Sequence, residues 1–386
     1  MLGRVLIIIG ILVALNIYVA SRIIIHWPLA SQHMAIAWLV ALAFFILQLA
    51  GPFGDRLVFP KLKKEYGAIP IIFAIDWASY LAFGVMSLLV VYGFATDIVG
   101  IAWELIVAPV DPVNFDRWFL LTLGVLTFGT VVIGVLLAIV GPIVKEVTIP
   151  LKNLPTSFDG FKIVQISDLH VGSIIGRAYT QNVVNIANEL RPDLIALTGD
   201  FSDGTVEGLG KDLLPIADLE APYGKFFVPG NHEYFWDLAG WLAQFKKMGV
   251  RVLSNEHVII ERYGSNIVLA GVPDYSTIRM RVDQVCDPSK ALIGVPPGLT
   301  KILLAHQPAT YRMAHEADFD LQLSGHTHGG QYFPYTILIR FFQRYYRGLN
   351  RHENMWVYVN TGTGYWGPPL RLGAPSEITL ITLRSE

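Results

Sequence analysis

One run of 27 uncharged residues, Trp118–Val144, constrains this chain more than any other feature. A helix needs about 20 apolar residues to cross the hydrocarbon core of a bilayer. Three further runs of that kind precede it: Val5–Ile25, Ala35–Phe53 and Trp77–Ala95. The chain of 386 residues is 53% hydrophobic, and its charge is uneven, with 16 charged residues in the first 150 against 44 in the remaining 236. An oily half, residues 1–148, is therefore expected as an all-α bundle of four transmembrane helices, joined to a globular half, residues 149–386.

Charges inside the oily half have simple readings. Arg22 sits near the end of its run and can reach the headgroups by extending its stem. Asp76, beside the third run, is explained by burial among helices. The stretch Ile98–Val110 is interrupted by Glu104 and reads as a short segment lying along the interface. A cleaved signal peptide is the competing reading of the first run, but no small-x-small site follows it and three more spans do.

Four spans return the chain to the side on which it began. Arg4, Arg56, Lys61, Lys63, Lys64 and Lys145 fall on that side, whereas Arg22 and Arg117 fall on the other. Lys and Arg favour the cytoplasmic loops, so the globular half is expected in the cytoplasm of an integral, multi-pass protein of the inner or plasma membrane. The single cysteine, Cys286, excludes an intramolecular disulfide framework and agrees with a reducing compartment. A net charge of −2 offers no basic excess for a nucleic-acid partner.

Beyond Ile149 the texture changes. Short β-rich runs at Phe161–Ile166, Leu194–Leu197, Phe226–Val228, Ile267–Ala270, Ile302–Leu304 and Leu321–Leu323 alternate with helix-like stretches at Ala178–Leu190 and Leu238–Met248. That alternation predicts α/β layers. Several of the runs end in residues that ligate metals: Asp168 and His170, then Gly199-Asp200, then Gly230-Asn231-His232-Glu233, then His306, then Gly325-His326-Thr327-His328-Gly329. Strand ends are where an α/β scaffold converges side chains from distant sequence.

The donor set is chemically specific. Carboxylate, imidazole and amide donors make a mixed oxygen and nitrogen environment suited to Mn, Fe or Zn rather than an all-oxygen cage. Seven donors exceed what one catalytic ion with an open position needs, but suit two ions sharing a carboxylate. Such a pair activates a water and clamps both the attacking and the leaving oxygen of a displacement at phosphorus. Alternate residues of an extended segment would point Asp168 with His170, and His326 with His328, to one side.

These five blocks, in this order, resemble the calcineurin-like metallophosphoesterase superfamily, with its D-x-H, G-D, G-N-H-[DE], isolated His and G-H-x-H pattern. The tail Gly367-Pro-Pro-Leu-Arg-Leu-Gly-Ala-Pro is similar to that of the membrane-associated bacterial branch. The resemblance implies a two-sheet αββα sandwich over residues 149–386. It also implies two divalent metal ions, one held by Asp168, His170 and His328 and the other by Asn231, His306 and His326, with Asp200 bridging. His232 matches the family histidine that contacts phosphate and protonates the leaving oxygen. Glu233 stands where many members carry Asp.

The remaining histidines, His26, His33, His257, His315 and His352, read as ordinary core or surface groups. Ile339–Leu349 reads first as a plain helix with buried aromatics and solvated arginines, and second as a lid or a membrane-facing edge. Tyr234-Phe235-Trp236 and Tyr365-Trp366 read as packing around the pocket, or as contacts for an acyl chain or base. The function expected is a membrane-anchored dimetal phosphohydrolase. Its substrate would be an amphipathic phosphoester or pyrophosphate, lipid- or nucleotide-linked, such as a UDP-linked acylated sugar, met at the lipid bilayer. The alternatives are an anchored phosphodiesterase for soluble nucleotides and a non-catalytic metal-binding signalling protein.

Overall fold

The computed structural model describes residues 2–27, 31–57, 70–106 and 112–386. The Lys61–Lys64 cluster on which the topology argument leans lies outside them. The described chain forms two compact units: Met1–Leu136 with Gly367–Leu370, and Leu137–Trp366 with Arg371–Glu386.

The first unit is built on helices α1 (Leu2–His26), α2 (Ser31–Leu57), α3 (Pro70–Ile106) and α4 (Pro112–Val140). Among the described residues, three stretches are long and apolar enough to cross a membrane: His33–Gly54, Pro70–Ile106 and Phe115–Val140. The apolar stretch of α1, Ile9–Ile24, is shorter. The third helix does not stop at Ala95. Its 37 residues run through Glu104 to Ile106, about 55 Å at 1.5 Å per residue, so the expected interfacial segment is its continuation up to that point. Polar side chains within this unit find one another, as apolar surroundings require. The amides of Asn16 and Gln48 pair at 2.9 and 3.2 Å, Tyr18 donates to Asp97 at 2.8 Å, and Arg22 also pairs with Asp97. Asp76 is fully buried.

The last helix ends earlier than its apolar composition suggests. Gly141 takes φ +89°, a left-handed conformation that closes the helix, and strand β1 already begins at Ile143. Ile143 and Val144 thus belong to a sheet and not to the expected span, and the second unit starts before residue 149.

Twelve strands in the second unit make two six-stranded sheets. One has the order β1 (Ile143–Leu151), β12 (Glu377–Ser385), β2 (Lys162–Ile166), β3 (Leu194–Leu197), β4 (Lys225–Phe227), β5 (Arg251–Val252). The other runs β10 (Gly348–His352), β11 (Met355–Val359), β9 (Leu321–Ser324), β8 (Thr300–Leu304), β7 (Ser265–Gly271), β6 (Glu256–Arg262). Period-two alternation sorts each strand's side chains into separate cores. Leu194 and Ala196 face the second sheet beside Ile302 and Leu304, while Ile195 and Leu197 face helices α5 (Arg177–Glu189) and α6 (Leu238–Lys247) with Val183, Trp241 and Phe245. On the far side of the second sheet, Leu303 and Val357 pack with Tyr311 and Phe319. The layers are helix, sheet, sheet, helix. Strands β2, β3 and β4 are mutually parallel, as are β8 and β9, so their carboxyl ends supply the loops that carry the chemistry.

Candidate metal centre

Each expected ligand block emerges from the end of a strand: Asp168 and His170 after β2, Asp200 after β3, Asn231 after β4, His306 after β8 and His326 after β9. The side chains do not converge by strand alternation, as the sequence pattern suggests. Asp168, His170, Asp200, His326 and His328 all take left-handed backbone conformations, with φ of 53, 50, 56, 71 and 49°. Such conformations cost energy in non-glycine residues and gather where a site over-determines its geometry. Glycines make room for them. A Cβ on Gly325 would lie 2.0 Å from Ser167 Oγ and 2.1 Å from Asp168 Oδ2. Another on Gly199 would lie 2.6 Å from the backbone nitrogen of Gly230.

Three donor groups result among the described residues, one of them His170 with Asp203 and His232, and the other two drawn from the expected ligands. Asp168, His170 and His328 form one of these two and Asp200, His306 and His326 the other, the donor atoms of each lying within 4.8 Å of one another. His170 Nε2 and His328 Nε2 are 3.1 Å apart, and Asp168 Oδ1 is 3.5 Å from His328 Nε2. Donors on adjacent vertices around one ion at about 2.1 Å would be roughly 3 Å apart, so these spacings fit a shared cation. Asp200 stands between the groups, with Oδ2 at 3.1 Å from His306 Nε2 and at 3.9 Å from Nε2 of both His170 and His232. Asn231 Oδ1 and His306 Nε2 are among the buried atoms left without a hydrogen-bond partner. Orphaned buried donors and acceptors are costly, and both atoms belong to the second expected ligand set. The residues fit a divalent metal.

Surrounding groups fix which ring nitrogen is presented. His306 donates from Nδ1 to the carbonyl of Thr198 at 2.8 Å, and His170 from Nδ1 to Asp203 Oδ1 at 3.0 Å, leaving each Nε2 lone pair inward. The buried Arg371 guanidinium backs His328, donating to Nδ1 at 3.0 Å and to the carbonyls of Thr361 at 2.7 Å, Ala374 at 3.2 Å and Gly364. Glu233, fully buried, collects the backbone N–H groups of Gly230, Asp200 and Phe201 at 2.7, 3.0 and 2.8 Å, and so ties the Asp200 loop to the Asn231 loop.

Electrostatics follow from this crowding. Burial pushes Asp168 up from the ordinary carboxylate range, opposed by His306. Burial would also raise Asp200, but His306 and His232 outweigh it and hold it well below that range. At His326 burial pushes the ring down to about 3, the neutral form that a ligand needs. His306 is drawn the other way: burial disfavours its charge, yet Asp200 and Asp168 raise it well above the usual value. A metal cation satisfies that same demand for positive charge.

Two participants carry no obvious signal in the motifs. Asp203, three residues beyond Asp200, holds His170 and His232 together, the latter at 2.5 Å from Nδ1. Its acid at that spacing was the available cue. Arg371 is a lone cation in an apolar, proline-rich tail. Around His232, Phe235 and Trp366 each bring a ring centroid to 5.7 Å while remaining 56% and 55% exposed. Tyr365, by contrast, is buried in the core beneath. His257, His315 and His352 are engaged elsewhere, with Ala291, Glu353 and Tyr345.

The sequence profile of calcineurin-like phosphoesterases matches residues 161–330, the stretch that contains all seven expected ligands. A Danio rerio transmembrane protein with metallophosphoesterase domain is 38% identical over 268 residues, covering 67% of this chain and 61% of that protein. An uncharacterized metallophosphoesterase of Bacillus subtilis is 32% identical over 255 residues, covering 62% of this chain and 85% of that protein. The chain spans about three fifths of the length of the vertebrate transmembrane relatives it matches. With an uncharacterized metallophosphoesterase of Aquifex aeolicus matched over 92% of its length at 35% identity, and 63% of this chain inside that match, the chain belongs to the calcineurin-like phosphoesterase family.

Proposed function

We propose that this chain is a membrane-anchored phosphohydrolase working with two divalent metal ions, Mn, Fe or Zn. Asp168, His170 and His328 would hold one ion, Asn231, His306 and His326 the other, and Asp200 would bridge. The observation that carries this reading is the position of the Asp200 carboxylate between the two ligand groups, 3.1 Å from His306 Nε2 and 3.9 Å from His170 Nε2. Bound there, divalent cations supply Lewis acidity at phosphorus and lower the pKa of an attacking water.

The protein's own groups do the rest. His232 is pushed up to about 9: burial favours the neutral ring, but the carboxylates of Asp200 and Asp203 outweigh it. At neutral pH the ring is therefore protonated, with Nδ1–H on Asp203 and Nε2–H directed inward to hydrogen-bond a phosphoryl oxygen or protonate the leaving oxygen. Phe235 and Trp366, half-exposed beside it, offer apolar faces to the leaving group. They favour an amphipathic phosphoester or pyrophosphate, lipid- or nucleotide-linked, such as a UDP-linked acylated sugar. Helices able to cross a membrane would confine the site to the surface where such a substrate concentrates. The Lys and Arg bias of the loops supports a cytoplasmic position for that site.

The experiment is a panel of lipid-linked, nucleotide and simple aryl phosphoesters offered to the purified full chain before and after chelation and metal return. Metal-restored hydrolysis is expected, fastest for an amphipathic ester. Hydrolysis of soluble nucleotides in preference to lipid-linked esters would replace the substrate assignment. Absence of any metal-dependent hydrolysis would overturn the catalytic reading.

A further inference from the structure

The stretch read from sequence as a plain helix, Ile339–Leu349, is not one. A 3-10 turn covers Ile339–Phe341, and irregular backbone follows until β10. Tyr345 turns into the core against Tyr311, while Phe341 and Phe342 find nothing to bury against. Phe341 and Phe342 are 79% and 81% exposed, and Ile337 and Leu338, just before them, are 47% and 37% exposed. Adjacent apolar side chains presented to solvent in this way mark an interaction surface.

The charge around them has one sign. Between Asp320 and Glu353 the sequence holds no Asp or Glu, while Arg340, Arg344, Arg347 and Arg351 fall within it. Arg340, Arg344 and Arg347 are exposed, and among the described residues none of them pairs with a carboxylate. Arg340 and Arg347 lie over the Tyr346 ring and Arg344 over the Tyr345 ring, at 5.6–5.7 Å. A guanidinium held on an aromatic face keeps N–H donors for an anion. Arg347 donates to the carbonyl of Gly373 at 3.0 Å, and apolar residues flanked by arginines without a carboxylate partner are what a bilayer interface with anionic headgroups accepts. The chain also supplies helices long and apolar enough to cross a membrane, so a bilayer is at hand.

We infer that residues 337–347 are a bilayer-contact surface, with Ile337, Leu338, Phe341 and Phe342 entering the interface and Arg340, Arg344 and Arg347 binding anionic lipid phosphates. The surface is tied to the metal-ligand turn. Thr327, between His326 and His328, donates from Oγ1 to the carbonyl of Tyr346 at 2.6 Å. Gly330, which closes that turn, leaves no room for a Cβ against the backbone of Tyr335 and Thr336. Lipid contact would thus hold the turn carrying two ligands at the plane where lipid-linked phosphates lie.

The test uses the full chain in nanodiscs of phosphatidylcholine, with and without phosphatidylglycerol. Cys286 is 2% exposed, so a Phe342→Cys variant takes an environment-sensitive fluorophore at one place. A Tyr263→Cys variant, at a residue 85% exposed in the β6–β7 turn, is the comparison. Expected is quenching of the Phe342→Cys probe by bromolipids, stronger with phosphatidylglycerol, and none for the Tyr263→Cys probe. The quenched-to-unquenched ratio should fall roughly fivefold for each arginine replaced by alanine. Hydrogen exchange on the unmodified chain gives an independent reading, as residues 337–347 should slow when phosphatidylglycerol is added. Equal behaviour of the two probes with unchanged exchange would overturn the inference. So would protection that rises with protein concentration in detergent, which would assign the surface to a second copy.

Discussion

Asp203 Oδ1 accepts a hydrogen bond from His232 Nδ1 at 2.5 Å. The same oxygen also takes Nδ1 of His170, so one carboxylate orients an expected metal ligand and the expected proton donor together. Because Asp203 is among the groups that raise His232 to about 9, alongside Asp200, the sign of a pH effect can be stated. The acid form exists below that value, so activity should fall as pH rises through it. Replacing Asp203 by Asn removes a raising charge, and the alkaline limb of kcat/KM should move to lower pH with a loss of about 10–100-fold. A limb that stays in place would show that Asp203 does not act through His232.

His232 itself should be separable from metal binding. A His232→Ala variant is expected to keep its metal content while turnover slows by about 10²–10⁴-fold. The loss should shrink for aryl phosphates whose leaving groups need no proton. Equal losses for good and poor leaving groups would assign the ring to phosphate contact alone.

Arg371 is fully buried and serves the carbonyls of Thr361, Ala374 and Gly364 as well as His328 Nδ1. Arg371→Leu leaves those acceptors unpaired, at about 1–3 kcal/mol each. A drop in thermal stability of more than 5 °C is expected, at roughly 2–4 °C per kcal/mol in a unit of this size. Thermal unfolding of the metal-loaded chain measures it, and an unchanged midpoint would contradict the structural role.

Orientation can be read through a single thiol. Cys286 is buried and its thiol is pushed up to about 12, by burial first and then by Asp274, so it should stay unreactive. A Ser385→Cys variant should react with a membrane-impermeant maleimide only after cells are opened. Labelling in intact cells would put the metal centre outside the cytoplasm and remove cytosolic substrates from consideration.

The strands that carry the ligand blocks were legible because their apolar runs are short and end in glycine and metal-ligand residues; β3, expected at Leu194–Leu197, occupies those residues. β1 was hidden because Ile143 and Val144 continue an apolar helix without a break in composition, and only the turn at Gly141 separates them. The ligand residues were legible from residue type and order, but the means of convergence was not. Left-handed backbone at five of them leaves no signature in hydrophobic periodicity. Asp203 and Arg371 act through other side chains, so neither stands in a block that advertises metal chemistry. Ile339–Leu349 was misread because aromatic and basic residues at helical spacing look amphipathic whether or not a core awaits them.

The central claim is that Asp200 joins two metal sites. Counting metal ions per chain on the purified protein and on Asp200→Asn and Asp168→Asn tests it most directly. The account predicts two ions in the parent chain, loss of both in Asp200→Asn, and loss mainly of one in Asp168→Asn. Unchanged occupancy in Asp200→Asn would contradict it.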